Sequence, residues 1–365
     1  MRILVLTKRQ YTGKDLLAER YGRIFEIPAA LSRRGHDVRG IALSYRNRGQ
    51  EDFAWPDLPG MRWRSVDACP QGILRYARVL DDWTEDWRPD VIWASSDMPH
   101  AVLAERWART RQVPLVLDLY DNYESFGLSK LPGLKAAFRR ACRRAQALTV
   151  VSHALNGYVS SSYALSCPVT VLQNGVRLDL FQPRDKRASR VAIGLPVEAR
   201  VIGTVGAISS GRGIEMMFEA FMEMADSDPE LWLVHAGPVD AAIAKRYRHP
   251  RIRDLGVQPT DQVPQILASL DVAIICNRDS DFGRYCFPLK LHEILAMKIP
   301  FVAAAVGDVV EVMSPYQQLL FTPGDVTQLQ SRIAMQLRDP LVPGLKAPGW
   351  DGCADSLEKV LKEAM

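Results

Sequence analysis

Short apolar runs rich in β-branched residues alternate with amphipathic, helix-length stretches along the whole chain of 365 residues. The runs predict ten buried strands, which lie at Ile3–Leu6, Val38–Ala42, Val91–Ala94, Leu115–Leu117, Leu148–Val151, Val169–Leu172, Val201–Val205, Leu231–Val234, Val272–Ile275 and Phe301–Ala304. Strands that are apolar along their whole length and alternate with helices indicate parallel sheets covered on both faces. The sequence therefore predicts an α/β protein.

The strand and helix pattern starts a second time at Val201, and the length of the chain also favours two domains. We predict Rossmann-like domains at residues 1–183 and 184–348, with a polar linker near residues 181–192. The amphipathic segment 349–365 is expected to pack back on the first domain as a helix. Because ligands bind beyond the carboxyl ends of strands in open α/β sheets, we expect the site in a cleft between the two sheets.

Composition excludes several classes of protein. The chain is 47% apolar and 24% charged, which is typical of globular proteins and not of disordered or coiled-coil chains. No apolar run approaches the roughly 18 to 20 residues of a membrane span, and the N-terminal sequence lacks the apolar region of a signal peptide. The six cysteines, which show no CxxC pair or zinc-ligand spacing, are Cys69, Cys142, Cys167, Cys276, Cys286 and Cys353. We therefore expect a reduced, cytoplasmic protein without a structural metal.

Charge is divided unevenly along the chain. Residues 1–200 contain 31 Lys and Arg against 21 Asp and Glu, whereas residues 201–365 contain 15 against 21. This asymmetry indicates an anionic partner for the first half, or simple charge drift between two domains.

A basic amphipathic helix is predicted at Leu134–Gln146, with Arg side chains opposite an apolar face. Such a helix can lie on the inner face of an anionic membrane, and it is equally typical of a core-facing helix with a solvated basic face. No nucleic-acid-binding module is recognised, so we expect no nucleic acid partner.

A glycine-rich turn follows the strand predicted at Val201–Val205. It runs from Gly206 to Gly213, includes Arg212, and opens a helix predicted from Ile214. The free N–H groups and the positive end of a helix dipole suit a phosphate, and an Arg side chain adds charge there. The turn lacks the GK[ST] ending of a Walker A motif, and an ordinary strand-to-helix turn is the alternative.

A second polar loop follows the strand predicted at Val272–Ile275 and leads into a helix near Leu289. Lys290 and Glu293 share one face of this helix because they are three residues apart. A Lys at the start of a helix can meet a phosphate, and a Glu can accept hydrogen bonds from a ribose diol. The alternative is a surface ion pair of little energetic consequence.

Several short motifs occur in an order that resembles a known family. They are Arg33–Val38, Val150–His153, Leu172–Val176 with Phe181 and Pro183, Val205–Gly206 with Arg212–Gly213, Ala236–Pro238, Leu255–Val257, Phe287–Pro300, Gly307–Glu311 and Pro323–Asp325. Over nearly its whole length the chain resembles the GT-B glycosyltransferases of retaining family 4. The resemblance implies two Rossmann-like domains that face each other across a donor and acceptor cleft, and transfer of a sugar from a nucleotide donor.

The resemblance also implies roles for individual residues. Arg212 stands where the family has a diphosphate-binding Lys, in the loop that begins at Gly206. Glu293 matches the second Glu of the E-x7-E motif, which holds the donor ribose, and Lys290 matches a Lys near the phosphates and the transferred sugar. Gly13 lies where an N-terminal glycine loop of the family approaches the donor.

Three positions depart from the family pattern. Tyr285 replaces the first Glu of E-x7-E, so its contact with the donor sugar is lost or comes from Asp279 or Asp281. Ala207 replaces an Arg of the glycine loop. Tyr120 replaces a His that commonly follows the fourth strand.

Polar residues around Tyr120 are further candidates for the site. With Arg212 and Lys290, we expect Asp118 and Tyr120 to be catalytic groups, and Asp121 and Glu124 to bind the acceptor. For Asp121, an Asx turn with a helix cap is the alternative.

The expected function is that of a retaining glycosyltransferase in polysaccharide or glycoconjugate assembly. Its donor is a nucleotide-diphosphate sugar, its acceptor a saccharide or a lipid-linked molecule, and it needs neither a cofactor nor a metal because fixed cations stabilise the leaving group. Alternatives are a catalytically degenerate relative that binds a nucleotide or sugar as a regulatory or structural partner, and a sugar-nucleotide epimerase. A Rossmann dehydrogenase is disfavoured, since no GxGxxG follows the first strand.

Overall fold

The computed structural model describes residues 1–11, 13–46, 49–68 and 72–365. These residues form two compact units, Met1–Gly175 with Trp350–Met365, and Val176–Gly349. Of the cysteines, Cys69 lies outside the described residues and the other five are free thiols. None of the described helices has both the length and the apolar character that crossing a membrane requires.

An eight-stranded sheet forms the centre of the first unit. The strands of this unit are β1 (Arg2–Lys8), β2 (Gln10–Tyr11), β3 (Lys14–Asp15), β4 (Asp37–Ser44), β5 (Glu51–Trp55), β6 (Leu58–Asp67), β7 (Val91–Ser95), β8 (Leu115–Leu119), β9 (Ala147–Val150) and β10 (Val169–Val171). The sheet has the order β10-β9-β8-β7-β1-β4-β6-β5, while β2 and β3 form a separate hairpin. Neighbouring strands of the large sheet are parallel except β5, which runs antiparallel to β6.

In the described part of residues 1–175, five α-helices accompany these strands in chain order. They are α1 (Arg23–Arg33), α2 (Gly72–Thr84), α3 (Met98–Arg111), α4 (Leu134–Arg144) and α5 (His153–Ser162). The apolar side of α1 is buried in one core with residues of β1, which explains why a helix with charged residues at both ends is stable here.

The second unit contains a six-stranded sheet with only parallel pairs. Its strands are β11 (Arg200–Val205), β12 (Leu231–Ala236), β13 (Ile252–Asp254), β14 (Val272–Ile275), β15 (Phe301–Ala304) and β16 (Leu320–Phe321). Their order is β13-β12-β11-β14-β15-β16. This is the strand order of a Rossmann fold, in which the chain reverses its direction across the sheet between the first and fourth strands.

Eight helices belong to this unit, and one more follows it. They are α6 (Lys186–Ala192), α7 (Glu215–Ser227), α8 (Ala241–Arg246), α9 (Val263–Ala268), α10 (Asp281–Tyr285), α11 (Leu289–Ala296), α12 (Asp308–Val312), α13 (Val326–Arg338) and α14 (Trp350–Ala364). Helix α14 belongs to the first unit, where its apolar side joins the same core as α1. Arg34 donates hydrogen bonds to Asp355 at 2.5 Å and to the backbone of Asp351 at 2.7 Å, which fixes the start of α14.

All ten strands predicted from apolar runs are present, with ends that differ by a few residues. The linker expected near residues 181–192 is wrong in its second part, because α6 occupies Lys186–Ala192. Asp185 caps this helix, and the buried Arg190 pairs with Asp271 at 2.5 Å. The compact units divide between Gly175 and Val176, whereas the sequence placed the boundary at residue 183. Val176 lies in the second unit because its N–H donates to the carbonyl of Pro348.

Candidate active site

The sheet of the second unit reverses its strand order between β11 and β14, so the loops after these two strands lie side by side at the carboxyl edge. One loop is the glycine-rich turn Gly206–Gly213, and the other leads from Cys276 to α10. In open α/β sheets this crevice is where ligands bind.

Gly206 has a backbone conformation and a close neighbour that exclude a side chain. Its φ is +122°, and a Cβ at this position would lie 2.6 Å from Cε of Lys290. Glycine at this position therefore lets the Lys290 side chain cross the start of the loop. The Lys290 ammonium lies 3.5 Å from the hydroxyl of Thr204, one residue before the end of β11.

The turn ends in a helix whose first N–H groups are not capped by a side chain. Ser210–Arg212 form a single 3-10 turn, and Gly213 follows in the left-handed conformation with φ +67°. Helix α7 then begins at Glu215, and its N-cap residue Ile214 provides no side-chain hydrogen bond. A 13-residue helix without a side-chain cap carries the positive end of its dipole at this point.

Arg212 and Lys290 are two cations at this edge of the sheet. The Arg212 guanidinium lies over the ring of Phe282, 5.1 Å from its centroid. Within the described part of the chain, no carboxylate oxygen lies within 4 Å of either cationic group. Burial and the charge of Arg212 lower the pKa of Lys290 to about 8, although Cys276 and Glu293 act in the opposite direction. Two like charges held together in this way favour an anionic ligand.

The acidic candidates of this unit are placed differently from one another. Glu293 lies on α11, partly exposed, and its charge raises the pKa of Lys290. Asp279 is exposed and accepts hydrogen bonds from Arg284 at 2.5 and 3.1 Å, which hold its pKa below the ordinary value. Asp281 is the first residue of α10 and is exposed. The structure thus brings Gly206, Arg212, Lys290 and Glu293 together, while Asp279 is engaged by Arg284.

Asp118, which the sequence suggested as a catalytic group, lies in the interior of the first unit. Its side chain is fully buried and accepts hydrogen bonds from Arg23 at 2.8 Å, Thr149 at 2.7 Å and Ser95 at 2.8 Å. Arg23 is equally buried. We therefore correct the expected catalytic role of Asp118. Its carboxylate neutralises the buried Arg23 and links β8 to α1, β7 and β9.

Glu124, which was expected to bind the acceptor, also lies in the interior of the first unit. Arg139 donates two hydrogen bonds to its carboxylate, at 2.7 and 2.8 Å, and the hydroxyl of Tyr158 donates a third at 3.2 Å. Although burial alone would raise the pKa of Glu124, Arg139 lowers it below the ordinary value. This carboxylate holds the loop after β8 to α4, so its assignment to the acceptor is not retained.

The remaining candidates of the first unit lie at or near strand ends. Asp121 is buried and accepts a hydrogen bond from the N–H of Asn122 at 2.8 Å. The Asx turn of this loop belongs instead to Asn122, whose Oδ1 accepts from the N–H of Glu124 at 3.2 Å. Tyr120 is partly exposed, and its hydroxyl donates to the carbonyl of Ser96 at 3.1 Å. Gly13 has φ +83° at the turn between β2 and β3, and among the described residues a Cβ added there would meet nothing within 4 Å.

Sequence reasoning missed Lys8 and Asp97, which also lie at strand ends. Lys8 is the last residue of β1, and Asp97 follows β7 and caps α3 by accepting from the N–H of His100 at 3.1 Å. Their place at strand ends was predictable from the sequence, because both residues come shortly after predicted strands. No family motif drew attention to them.

The basic helix predicted from the sequence is α4. Its buried residues are Phe138, Ala141 and Cys142, and its exposed cations are Lys135, Arg140, Arg143 and Arg144. Arg139 pairs with Glu124, and Arg144 lies 3.3 Å from Glu105. The apolar face therefore packs inward, and the basic face is in solvent.

In the described ranges, no three His, Cys, Asp or Glu side chains are grouped so that they could hold a metal ion. At the carboxyl edge of the second unit, positive charge is supplied by Arg212, Lys290 and the start of α7.

Two family models match consecutive parts of the chain. A model described as Glycosyltransferase Family 4 matches residues 23–180, and a model described as Glycosyl transferases group 1 matches residues 199–339. Together they span both units and confirm the family that the motifs indicated.

Known proteins extend this similarity. TuaC of Bacillus subtilis strain 168, a glycosyltransferase assigned to teichuronic acid biosynthesis, is 27% identical over 279 residues, which cover 76% of this chain and 68% of TuaC. The sucrose-phosphate synthase of Thermosynechococcus elongatus has a similar fold, with a TM-score of 0.77 at 16% identity over 100% of this chain and 96% of that chain. Anabaena HepE, solved with UDP-glucose, gives 0.69 at 18% identity with the same coverage. The two solved structures share their fold with this chain over its whole length.

Proposed function

The chain belongs to the group 1 glycosyltransferases and has their GT-B fold, and from this premise we propose that it is a retaining, metal-independent enzyme that uses a nucleoside-diphosphate sugar. The proposal rests most heavily on one observation. Arg212 and Lys290, two cations without a carboxylate within 4 Å among the described residues, meet the uncapped start of α7 at the point where the strand order reverses.

A diphosphate is the ligand that this arrangement suits. Its two phosphates carry enough negative charge to offset both cations, and the N–H groups at the start of α7 donate to phosphate oxygens. When the bond to the sugar breaks, charge develops on the leaving phosphate, and fixed donors stabilise that charge without reorganising. Arg212, Lys290 and α7 supply this stabilisation, so no metal is needed to neutralise the leaving group.

Glu293 is assigned to the ribose of the donor. It follows Lys290 by one helical turn on α11, so a nucleotide whose phosphates meet Lys290 brings its ribose diol toward Glu293. A carboxylate accepts hydrogen bonds from both hydroxyls of a diol. The complex of HepE with UDP-glucose supports UDP as the first nucleotide to test.

Retention of the anomeric configuration is assigned to attack on the same face that the diphosphate leaves. A double displacement would require a carboxylate within bonding reach of the anomeric carbon. Tyr285 stands at the position of the first Glu of E-x7-E, which leaves the donor sugar without that group. Asp281 and Asp279 remain candidates for its hydroxyls, although Asp279 must exchange Arg284 for the sugar.

The acceptor is assigned to the saccharide or lipid-linked class, in polysaccharide assembly on the cytoplasmic side of the membrane. The similarity to TuaC supports a polysaccharide. The exposed cations of α4 support contact with an anionic membrane, since each cation near such a surface contributes about 1 kcal/mol. Cosedimentation with anionic vesicles at low salt tests that contact, and its absence would contradict it.

Thermal unfolding with UDP, GDP, ADP, CMP and their sugar derivatives tests the donor site. A nucleotide at about 100 times its dissociation constant adds roughly 2.7 kcal/mol of stability. We expect a shift with one nucleotide, its loss in Arg212→Ala, and its reduction in Glu293→Gln. Arg246→Ala is the matched control, because Arg246 is an exposed Arg of the same unit that pairs with Glu219.

The outcomes distinguish the proposed enzyme from a catalytically degenerate relative. The degenerate alternative is favoured by Tyr285, which replaces the first Glu of E-x7-E. A shift without transfer or hydrolysis of any sugar nucleotide would support the degenerate relative. No shift with any nucleotide, or an unchanged shift in Arg212→Ala, would contradict the donor site itself.

A further inference from the structure

An open cavity of about 480 Å³ lies at the amino edge of the first unit's sheet, where α3 and α4 end and β8 begins. A cavity of this volume can hold a small organic ligand, since pockets for such ligands span roughly 300 to 1,000 Å³. Leu115 lines the cavity, whereas Leu119 ends β8 about 13 Å further along the strand. The cavity is therefore separate from the carboxyl edge, where the sequence placed the acceptor.

Two arginines that line this cavity share one carboxylate. Nε of Arg109 donates to Oε1 of Glu105 at 3.2 Å, and Nη1 of Arg144 donates to the same oxygen at 3.3 Å. The Glu105 side chain is 11% exposed, whereas those of Arg109 and Arg144 are 61% and 49% exposed. Neither arginine side chain has another partner among the residues that the structure describes. The three side chains therefore give the cavity one uncompensated positive charge.

Most of the hydrogen-bonding capacity of these two guanidinium groups is unused. A guanidinium has five N–H donors, and each of the two uses one of them on Glu105. Because both groups meet the same oxygen, their remaining donors lie close together at the cavity. Paired guanidinium groups suit a phosphate, whose oxygens accept several charge-assisted hydrogen bonds at once. The carboxyl ends of α3 and α4 carry partial negative charge, so the side chains must hold the anion and the helix ends do not.

Other polar groups of the cavity suit hydroxyls. Oε2 of Glu105 accepts no hydrogen bond from the described residues. Oε1 of Gln146 accepts from the N–H of Leu115 at 2.7 Å, which fixes the amide and leaves its NH₂ group without a partner in the described ranges. A carboxylate oxygen accepts from a hydroxyl, and an amide NH₂ donates to one. Ala108 and Val113 add an apolar wall for carbon atoms.

We propose that this cavity binds the phosphate ester of a small polyol, at a site that the transfer reaction does not use. Arg109 and Arg144 bind the phosphate. The polyol hydroxyls donate to Oε2 of Glu105 and accept from the amide of Gln146. The uncompensated positive charge selects the ester over the neutral polyol. Two sources share this chemistry: a free polyol phosphate in solution, and the glycerol phosphate headgroup of phosphatidylglycerol in a membrane.

Calorimetric titration with glycerol phosphate tests the site, and glycerol and inorganic phosphate are the comparison probes. We expect glycerol phosphate to bind more tightly than either of them. Arg109→Met and Arg144→Met should each weaken its binding by about tenfold or more, because each removes charge-assisted hydrogen bonds. Both side chains are largely exposed and Glu105 keeps one arginine in each variant, so both variants should fold, which urea unfolding checks.

Arg106→Met is the matched control, since Arg106 is an exposed arginine of α3 that does not line the cavity. Its affinity for glycerol phosphate should equal that of the unmodified protein. Arg212→Ala should also bind the ester normally, and weaker binding in that variant would place the probe at the donor site and overturn the proposal. The proposal is likewise overturned if inorganic phosphate binds as tightly as the ester, or if Arg106→Met weakens binding as much as Arg109→Met and Arg144→Met do.

Flotation with vesicles of phosphatidylglycerol or phosphatidylserine, mixed with the same neutral lipid, distinguishes the two sources. A membrane source predicts stronger binding to phosphatidylglycerol, and predicts that Arg109→Met and Arg144→Met abolish this preference while Arg106→Met retains it. A free ester predicts calorimetric binding of glycerol phosphate and no preference between the vesicles. If glycerol phosphate does not bind and the vesicles show no such preference, the site is overturned.

Discussion

The carboxyl edges of the two sheets differ in where their charged side chains find partners. In the first unit, Asp118 is paired with Arg23 and Glu124 with Arg139, all through hydrogen bonds of 2.7 or 2.8 Å. In the second unit, Lys290 and the partly exposed Arg212 have no carboxylate within 4 Å among the residues that the structure describes. The first arrangement stabilises the fold, and the second leaves two cations available to bind an anionic ligand.

This difference shows that a polar residue after a strand is not by itself a candidate for catalysis. What decides its role is whether the fold places an opposite charge against it. A buried ion pair is costly to break, because the remaining charge stays without water or a partner. Two unpaired cations, in contrast, are repelled by each other until an anion arrives. The same edge of an α/β sheet can therefore serve stability in one unit and binding in the other.

The largest expected effect comes from breaking the buried pair of the first unit. Asp118→Ala leaves the Arg23 guanidinium buried without its carboxylate, which costs about 3 to 5 kcal/mol of unfolding free energy. Urea unfolding measures the loss. Asp52→Ala is the control, since Asp52 pairs with Arg64 at an exposed site and should cost less than about 1 kcal/mol. Equal losses in the two variants would contradict the structural role of Asp118.

A smaller effect is expected from filling the space beside Gly206. In Gly206→Ala the new methyl group would meet Cε of Lys290 at 2.6 Å, and φ +122° is strained for alanine. We expect about 1 to 3 kcal/mol lower stability and a nucleotide affinity at least tenfold weaker, because Lys290 is displaced. Gly211→Ala is the control in the same loop, where no described atom lies within 4 Å of the added group. Calorimetric titration measures the nucleotide affinity. Equal affinities in the two variants would contradict a contact between Lys290 and the phosphates.

Much of the fold follows from sequence because its central strands are apolar on both sides. The edge strand β5 and its neighbour β6 were missed, since Asp52, Arg62 and Arg64 interrupt any apolar run there. Those strands are held by pairing with β4 and with each other. Strand existence was thus predictable where burial is two-sided and not where one face is solvated.

The candidate site was predictable in the second unit and largely not in the first. Arg212 and Lys290 lie in local motifs, and their neighbours in sequence reveal the turn and the helix that position them. Asp118 instead meets Arg23, which is 95 residues away along the chain. No local pattern distinguishes a carboxylate with such a distant partner from one that faces a ligand, because the pairing is a product of the sheet topology.

The smallest expected effect concerns the protonation of Lys290. The pKa of about 8 means that Lys290 in the free protein loses its proton as the pH rises above 8. A diphosphate requires the ammonium, so its dissociation constant should rise by up to tenfold per pH unit above 8. The unfolding free energy of the nucleotide-free protein should instead increase with pH. Since the folded pKa lies below the ordinary value near 10.5, the neutral group favours folding as the pH rises between the two values.

Calorimetric titration with the stabilising nucleotide at pH 7.5, 8.5 and about 9.5, in buffers of different ionisation enthalpy, counts the proton taken up on binding. Lys290→Met should bind more weakly with no such pH dependence, whereas Lys245→Met, an exposed lysine of α8, should retain it. An unchanged dissociation constant between the lowest and highest pH would mean that Lys290 does not carry the charge that the diphosphate needs. Arg212 would then be the cation that sets the second unit apart from the first.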